Sequence, residues 1–300
     1  MSGDAPVTIV IPCFNHGRFL ADCVGSLERQ THRRWRAVVI DDASTDGETP
    51  ALADAVRSDR VEVVHLAENM GRAGARNVGI ERAESEAVMS LDADDKLEPE
   101  HLARTVPVLL SDPRCGIVYT DYEYFGARQG TARGKPFDRD LLYVDQYIFA
   151  GSLFRKSAFA KTPGYRSEFN IGNEDWDFWL SIVEAGYTAS YVAEPLYAYR
   201  VHEGSWTSQP TLARAEKTRL SRELLRDMHI EGYRRSGKLR QFDRDTEVKD
   251  GRLRLLGGDP HGARRSLLRA LGIAPLSLEP WPLLFRALVE RPARTAGESR

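Results

Sequence analysis

Short apolar runs alternate with longer amphipathic segments along the first part of the chain. The runs are rich in Val, Ile and Leu, which is typical of buried strands, whereas apolar residues that recur every three or four positions predict helices. Strands are predicted at residues 7–11, 35–40, 61–66 and 87–91, with Pro12 ending the first, and helices at 19–30, at 50–57 and before Ala83. Strands that alternate with helices predict an α/β fold with a mostly parallel sheet covered on both faces.

The pattern is less regular after the fourth predicted strand. It predicts a helix at 100–110, a strand at 116–120, a mobile loop at 122–140, a strand at 147–154, a helix that begins near Asn173, and short strands at 188–192 and 196–201. Helical patterns dominate from Thr211, and the last nine residues are polar, as frayed tails are. We therefore predict a first domain at 1–210, a helical C-terminal extension at 211–291 and a disordered tail at 292–300.

Composition narrows the class of protein. Of the 300 residues, 42% are hydrophobic and 29% are charged, which is typical of a soluble globular protein. No apolar run reaches the roughly 18 residues that a membrane helix needs, and residues 1–6 lack the features of a signal peptide. The cysteines Cys13, Cys23 and Cys115 form no C-x-x-C pair, which favours free thiols in a reducing cytoplasm.

The net charge of −2 conceals an asymmetry between the two parts of the chain. Residues 1–210 contain 22 Lys and Arg against 32 Asp and Glu, a balance of −10, whereas residues 211–300 contain 20 against 12, a balance of +8. The positive charge of the C-terminal segment suits an anionic partner. We expect a cytoplasmic protein without a nucleic-acid partner, and peripheral attachment to the inner face of the membrane is an alternative.

Three carboxylates, Asp92, Asp94 and Asp95, directly follow the fourth predicted strand. Ligands of open α/β sheets bind outside the carboxyl ends of the strands, and Mg²⁺ is typically held by one or two carboxylates plus substrate phosphates. One interpretation is therefore a metal–phosphate site. The other is a solvated acidic turn, with Asp95 as the N-cap of a helix that starts at Glu98.

A second acidic pair, Asp41-Asp42, ends the second predicted strand. By itself such a pair is typical of a helix N-cap. Two acidic strand ends in a doubly wound sheet, however, would lie at the same edge. A nucleoside diphosphate fits both clusters, with one carboxylate at the base or ribose and the other at a metal on the phosphates.

The glycines Gly71 and Gly74 do not belong to a G-x-G-x-x-G fingerprint, and no P-loop is present, which weakens a dehydrogenase or a kinase. Arg72 and Arg76 lie one turn apart on one face of the predicted helix. The sequence leaves open whether these two arginines contact a phosphate or pair with acids such as Glu68.

Asp175 is the candidate general base. It stands near the start of a predicted helix beside Trp176, Phe178 and Trp179, and apolar neighbours raise the pKa of a carboxyl group toward values useful in catalysis. Capping of the helix by Glu174 and Asp175 is the alternative.

Arg200 and His202 lie two positions apart at the end of the last predicted strand, so their side chains share a face. His202 together with Asp94 on a divalent cation, and Arg200 near the phosphates, would complete a site. A structural or exposed histidine is the alternative.

Seven short motifs occur in a fixed order: Pro12-x-Phe14-Asn15, Gln30-Thr31, Asp41-Asp42-x-Ser44-x-Asp46-Gly47, Asn69-x-Gly71 with Ala75-Arg76-Asn77, Asp92-x-Asp94-Asp95, Glu174-Asp175-Trp176 and Arg200-x-His202. In this order they strongly resemble the family 2 glycosyltransferases with the GT-A fold, over about residues 7–205. Phe14 stands where a tyrosine is usual, which keeps a stacking surface but removes a phenol hydrogen bond.

The resemblance implies a GT-A (Rossmann-like) domain that transfers a sugar from a nucleoside diphosphate with inversion. The implied donor contacts are Pro12, Phe14, Asn15 and Asp42, with or without Asp41, for the nucleoside; Arg76 for the nucleotide or diphosphate and Asp92 for the ribose; and Asp94, Arg200 and His202 for the diphosphate with Mg²⁺ or Mn²⁺. A UDP-sugar is favoured over a dTDP- or GDP-sugar.

On the acceptor side, the resemblance implies that Asp175 deprotonates the acceptor hydroxyl, with Glu174 and Trp176 near the acceptor. That acceptor is a saccharide, a lipid-linked molecule or another hydroxyl compound. Two alternatives stay open: a sugar nucleotidyltransferase, which makes the activated sugar, and a non-catalytic GT-A protein that binds a carbohydrate or a partner.

The C-terminal segment lies outside the shared core, and residues 258–289 resemble a tetratricopeptide-like helical hairpin. Three alternatives are open for it: helices that dock or pack, a homodimer contact, and a peripheral membrane contact through its basic face with Trp281, Leu284 and Phe285.

Overall fold

The computed structural model describes residues 5–203 and 212–290. The chain divides into two compact units, the first made of Met1–Arg139, Gln146–Asn170 and Glu174–Glu203, and the second of Asp140–Asp145, Ile171–Asn173 and Gly204–Arg300. The predicted domain boundary at residue 210 and the predicted disordered tail at 292–300 both lie outside the described residues.

The strands of the first unit form one mixed sheet. They are β1 (Val7–Cys13), β2 (Trp35–Asp41), β3 (Val61–His65), β4 (Ala87–Ser90), β5 (Lys96–Leu97), β6 (Cys115–Gly126), β7 (Gly130–Ala132), β8 (Leu153–Arg155) and β9 (Thr188–Val201). Their order is β3-β2-β1-β4-β8-β6-β9-β5, with β7 paired to β6. Strands β1 to β4 are parallel, whereas β8 runs antiparallel to both of its neighbours. The predicted α/β class is confirmed.

Helices flank this sheet and make up the C-terminal segment. Before residue 203 they are α1 (Gly17–Glu28), α2 (Thr49–Ala55), α3 (Gly71–Glu81), α4 (His101–Ser111), α5 (Arg139–Leu142), α6 (Lys156–Phe159) and α7 (Glu174–Glu184), with a 3₁₀ turn at Ser167–Ile171. After residue 212 they are α8 (Leu212–Met228), α9 (Ile230–Arg235), α10 (Leu239–Leu256), α11 (Pro260–Ile273) and α12 (Pro280–Val289).

The parallel half of the sheet agrees closely with the prediction, except at Pro12. This residue pairs with Ile40 inside β1, which continues to Cys13, so it does not end the strand. Strand β4 pairs with β1 only as far as Val10. A proline is tolerated where its missing N–H has no strand partner to lose, and Pro12 lies beyond the end of β4.

The other half of the sheet corrects several predictions. The predicted loop at 122–140 is in part the continuation of β6 to Gly126 and the short strand β7. The predicted strand at 147–154 is reduced to β8, and the two short strands predicted at 188–192 and 196–201 form the single strand β9. Strand β9 pairs with β6 through register shifts near Asp121, which is why its pattern is interrupted.

In the second unit, α10, α11 and α12 pack on one another through small and aliphatic side chains. The buried members of this cluster are Leu255, Ala263, Leu267, Leu284 and Ala287. The predicted hairpin therefore consists of α11 and α12, and its helices pack against α10. Among the described residues, no helix is long and apolar enough to cross a membrane.

Candidate active site

The loops after β1 and β2 are locked to each other. Asn15 has φ 57°, its N–H donates to Ser44 Oγ (2.9 Å), and its Oδ1 accepts from Thr45 N (2.8 Å). Ala43, in the second loop, has φ 55°. Such left-handed conformations are uncommon without glycine and persist where the surroundings impose them. The loop pair is therefore built as a unit, and Phe14 stands on it with 42% of its surface exposed.

Both predicted nucleoside carboxylates are nearly buried, but their partners differ. Asp41 accepts from Ser44 N at one oxygen (3.1 Å), and His65 Nδ1 lies 2.7 Å from the other. Asp42 Oδ1 accepts from Met70 N (2.7 Å), at the start of α3. Burial raises the pKa of Asp42, and this hydrogen bond works against the rise. Asp41 thus shapes the loop with both oxygens, whereas Asp42 faces the segment before α3.

Helix α3 carries Arg76 and lies close to the sheet. A Cβ on Gly79 would come within 2.2 Å of Val10 Cγ1, so only glycine permits this approach. At the start of the helix, Gly71 has φ +73°, and a Cβ there would come within 2.3 Å of Asn170 Nδ2. Asn170 in turn accepts from Ala73 N (3.0 Å). These contacts fix the position of α3 and hence that of the Arg76 side chain.

Arg76 joins both acidic motifs of the site. Its side chain is completely buried, with Nη2 2.8 Å from Asp92 Oδ1 and Nη1 2.8 Å from Glu174 Oε1. Its Nε donates to Ser90 Oγ (3.0 Å). In this structure the guanidinium of Arg76 is therefore engaged by protein groups, and its predicted contact with the nucleotide or diphosphate stays a prediction. Arg72, on the same face, lies 3.4 Å from Glu174, so both arginines pair with an acid.

Asp94, Arg200 and His202 come together at the carboxyl end of β4. His202 Nε2 lies 3.1 Å from Asp94 Oδ2, and Arg200 Nε donates to the Asp94 carbonyl oxygen (2.7 Å). The imidazole of His202 also packs on His16 and Phe19, with ring centroids 5.5 Å and 5.2 Å away. Burial, and then the charge of Asp92, raises the pKa of Asp94. A positive charge at this point would stabilise the ionised carboxylate.

The donor atoms at this point fit a divalent cation. A carboxylate oxygen suits Mg²⁺ or Mn²⁺, with substrate phosphates as further ligands, and a neutral imidazole nitrogen is a common metal ligand. Within residues 5–203 and 212–290, no group of three His, Cys, Asp or Glu side chains has the arrangement of a metal site. Water and a bound phosphate can supply further ligands.

Asp95 is not a helix cap. It is buried, accepts from Tyr197 Oη (2.6 Å) and from Arg200 N (2.7 Å), and is followed by β5, while α4 begins only at His101. It joins β9 to the loop that bears Asp94. Sequence reasoning missed Tyr197, because its place next to Asp95 depends on the pairing of two strands remote in sequence.

Asp175 lies in the first turn of α7. Its Oδ1 accepts from Trp176 N (2.9 Å) and from Gln146 Nε2 (2.8 Å). Burial, and then the charge of Glu174, raises the pKa of Asp175 to about 6. Gln146 lies in an irregular segment, where no sequence signal pointed to it.

The two neighbours of Asp175 are buried. Glu174 is 4% exposed and Trp176 is 1% exposed, and their predicted acceptor contacts stay predictions. Burial alone would raise the pKa of Glu174, but Arg72 and Arg76 hold it below its ordinary value. Glu174 is therefore an ionised neighbour that links Asp175 to Arg76.

Comparison with known proteins agrees with this geometry. Residues 8–176 match the family model described as Glycosyl transferase family 2. TuaG of Bacillus subtilis (strain 168), which carries the name of a teichuronic acid biosynthesis glycosyltransferase, is 31% identical over 226 residues, or 71% of this chain and 85% of TuaG.

Solved structures are similar in fold. S. aureus TarS has a TM-score of 0.65 at 16% identity over 93% of this chain, which spans half of that TarS chain. TarS 1-349 in complex with UDP-GlcNAc has a TM-score of 0.59 at 17% identity, with 93% of this chain and 90% of that chain covered. The mannosyltransferase PcManGT from Pyrobaculum calidifontis, in complex with GDP-Man and Mn²⁺, has a TM-score of 0.60 at 20% identity. The match covers 95% of this chain and 86% of the PcManGT chain.

Proposed function

Since the chain belongs to glycosyl transferase family 2 and is a glycosyltransferase with the GT-A fold, we propose that it moves a sugar from a nucleoside-diphosphate sugar to an acceptor hydroxyl with inversion. The observation that carries the proposal is the pair of carboxylate centres whose sequence neighbours, Asp92 and Glu174, are joined by buried Arg76. One contains Asp94 with His202, and the other contains Asp175 with its raised pKa. A nucleotidyltransferase or a non-catalytic protein is not retained, because family membership favours sugar transfer.

Donor binding uses the loop pair and the Asp94 centre. Phe14 offers an exposed ring for stacking on the base, and Pro12 and Asn15 shape the loop beneath it. We assign the base or ribose contact to Asp42, because Ser44 and His65 occupy both oxygens of Asp41. The donor is a UDP-sugar in this proposal; TarS with UDP-GlcNAc supports a uridine nucleotide, while PcManGT with GDP-Man is the competing precedent.

The residues that would hold Mn²⁺ or Mg²⁺ are Asp94 and His202. When bound there, the cation supplies Lewis-acid stabilisation of the negative charge on the leaving diphosphate. Arg200 adds a fixed positive charge, and its guanidinium is positioned by the Asp94 carbonyl oxygen and by Asp22 Oδ2 (3.0 Å). Asp92, paired with Arg76 yet 31% exposed at its side chain, can reach the ribose edge.

Asp175 takes the proton of the acceptor hydroxyl as its oxygen forms a bond to the anomeric carbon. The bond from that carbon to the diphosphate oxygen breaks, and the nucleoside diphosphate leaves with the electron pair. Attack from the face opposite to the leaving group inverts the configuration. Gln146 and the Trp176 N–H orient the carboxylate, while burial keeps its pKa high enough to accept a proton near neutral pH.

Donor binding is tested by thermal unfolding of the full chain with a panel of nucleotide-sugars and Mn²⁺. A ligand at 100 times its Kd stabilises the folded state by about 2.7 kcal/mol, and a UDP-sugar should give the largest effect. Asp94→Ala should weaken the metal-dependent part of binding at least roughly tenfold, because even outer-sphere changes at metal sites cost that much.

The matched control is Glu62→Ala, since Glu62 is an exposed carboxylate on β3 that pairs with surface Arg82. It should bind donor as the parent protein does. Metal-dependent binding that survives in Asp94→Ala would contradict the assigned metal position.

The pH dependence of kcat/KM should have an acid limb near pH 6. Below the pKa of about 6, Asp175 is protonated and cannot accept the acceptor proton, so activity should rise as the pH increases through that value. Glu174→Gln removes the neighbouring negative charge and should move the limb to lower pH. Donor affinity measured over the same range separates this effect from donor binding, and a limb that does not move in Glu174→Gln speaks against Asp175 as its source.

A further inference from the structure

Helix α12 is apolar on nearly every side, but only one side is packed. Arg286 is the single charged residue among its 10 residues. Leu284 and Ala287 are buried against α10 and α11. Elsewhere on the helix, Trp281 is 52% exposed and Phe285 69% exposed. A helix that is apolar all round is normally buried all round, so half of this one lacks a partner in the described structure.

The exposed side continues into the turn before the helix. Leu276 is 95% exposed and Leu278 82% exposed, and at the other end Leu288 and Val289 are 59% and 63% exposed. Of the 14 exposed large hydrophobic side chains in the described residues, six fall between 276 and 289. We call these six the α12 apolar surface: Leu276, Leu278, Trp281, Phe285, Leu288 and Val289. Their concentration distinguishes them from scattered exposed residues, which need no explanation.

Charged side chains lie beside this surface. The acids at its two ends, Glu279 and Glu290, pair with Arg252 and Arg286, and Arg264 adds positive charge. Arg264 Nε donates to the Ala287 carbonyl oxygen (2.8 Å), which places a guanidinium at the C-terminal end of α12. Arg264 and Arg265 stand in α11, whose sequence contains three arginines and no acid. Residues 211–300 as a whole carry a balance of +8. An apolar face bordered by arginines is typical of helices that lie in the interface of an anionic bilayer.

We propose that the α12 apolar surface docks on anionic lipid bilayers. The aromatic and aliphatic side chains enter the boundary between headgroups and acyl chains, and Arg264, which contacts the C-terminal end of α12, lies at the level of the lipid phosphates. A second copy of the chain is the less suitable occupant, because two segments of balance +8 would repel each other. An anionic bilayer instead gains from the same charge. This docking does not depend on the reaction proposed above.

The test is co-sedimentation of the full chain with vesicles of phosphatidylcholine alone and of phosphatidylcholine with phosphatidylglycerol. The parent protein should bind the anionic vesicles, and added salt should weaken binding. The double variant Phe285→Gln/Leu288→Gln should reduce partitioning by roughly tenfold or more, since both side chains supply buried apolar area. The matched control is Leu220→Gln/Leu256→Gln, which changes two exposed leucines of α8 and α10 and should bind as the parent does.

Fluorescence separates docking from self-association. The other described tryptophans, Trp35, Trp176 and Trp179, are buried, and Trp206 lies outside the described residues. In a Trp206→Phe background, quenching by brominated phospholipid should therefore fall on Trp281 and be lost on the further change Trp281→Phe. Unchanged circular dichroism shows that the variants are folded. Absence of binding to anionic vesicles overturns the proposal. A second result would also overturn it. In that result the parent protein binds no vesicles, light scattering shows that it is a dimer, and Phe285→Gln/Leu288→Gln converts the dimer to monomers.

Discussion

Asp175→Asn is expected to lower kcat by about 10²–10⁴-fold, the range that a general base contributes. Asparagine keeps the size of the side chain and can still accept from Trp176 N and Gln146, but it cannot take a proton from the acceptor hydroxyl. The Asp94–His202 pair is untouched, so calorimetry should give nearly the same affinity for the nucleotide-sugar with Mn²⁺. Turnover is measured as nucleoside diphosphate released under saturating donor.

The matched control for this experiment is Asp59→Asn, the same chemical change at an exposed aspartate in the turn before β3. Its turnover should equal that of the parent protein. If Asp175→Asn retains full turnover, Asp175 is a capping residue and the base lies elsewhere. If it loses donor binding as well, the carboxylate acts on the donor.

Arg76→Met should destabilise the folded protein by about 3–5 kcal/mol, because removal of one partner leaves a buried charge unpaired. Most of the effect comes from Glu174, whose side chain is 5% exposed, whereas Asp92 is 31% exposed and can turn toward water. Equilibrium unfolding in urea measures the loss in the free energy of unfolding.

The double variant Arg76→Met/Glu174→Gln should recover part of that loss, because no unpaired charge remains in the interior. Arg82→Met breaks a surface pair with Glu62, in which both side chains are about half exposed, and should change stability by less than about 1 kcal/mol. A similar small change in Arg76→Met would mean that water or Arg72 replaces the buried guanidinium.

The parallel half of the sheet could be predicted because β1, β2 and β4 are short, mostly buried apolar runs, and the edge strand β3 keeps the same β-branched pattern while exposing Glu62. Residues 7–11, 35–40, 61–66 and 87–91 all lie in observed strands, apart from one-residue differences at strand ends. The half built from β6, β8 and β9 could not be predicted from the sequence. Tyr122, for example, pairs with Tyr197, and an alternation of aromatic and polar residues acquires its meaning only from such a remote partner.

The candidate site, too, could be predicted only in part from the sequence. Parallel strands β2, β1 and β4 are neighbours, so the acidic ends of β2 and β4 lie at one edge, as strand order implies. Strand alternation likewise predicted that Arg200 and His202 act together, and both reach Asp94. Burial of Arg76 could not be predicted, since helical periodicity says which residues share a face but not which charged group that face meets. Tyr197 was missed because its place beside Asp95 depends on remote strand pairing, and Gln146 because it lies in an irregular segment.

The contacts that build the site join residues remote in sequence, which has a consequence for folding. Asp94 and His202 are 108 residues apart in sequence, Asp95 and Arg200 are 105 apart, and Arg76 and Glu174 are 98 apart. Closing chain segments of this length has a high entropic cost, and remote contacts of this kind are associated with slow folding. Refolding chains can form the first βαβ units well before β9 and α7 reach them. Donor binding during refolding therefore reports when β9 and α7, the last elements of the first unit, take their places. Circular dichroism instead reports the earlier formation of the βαβ units.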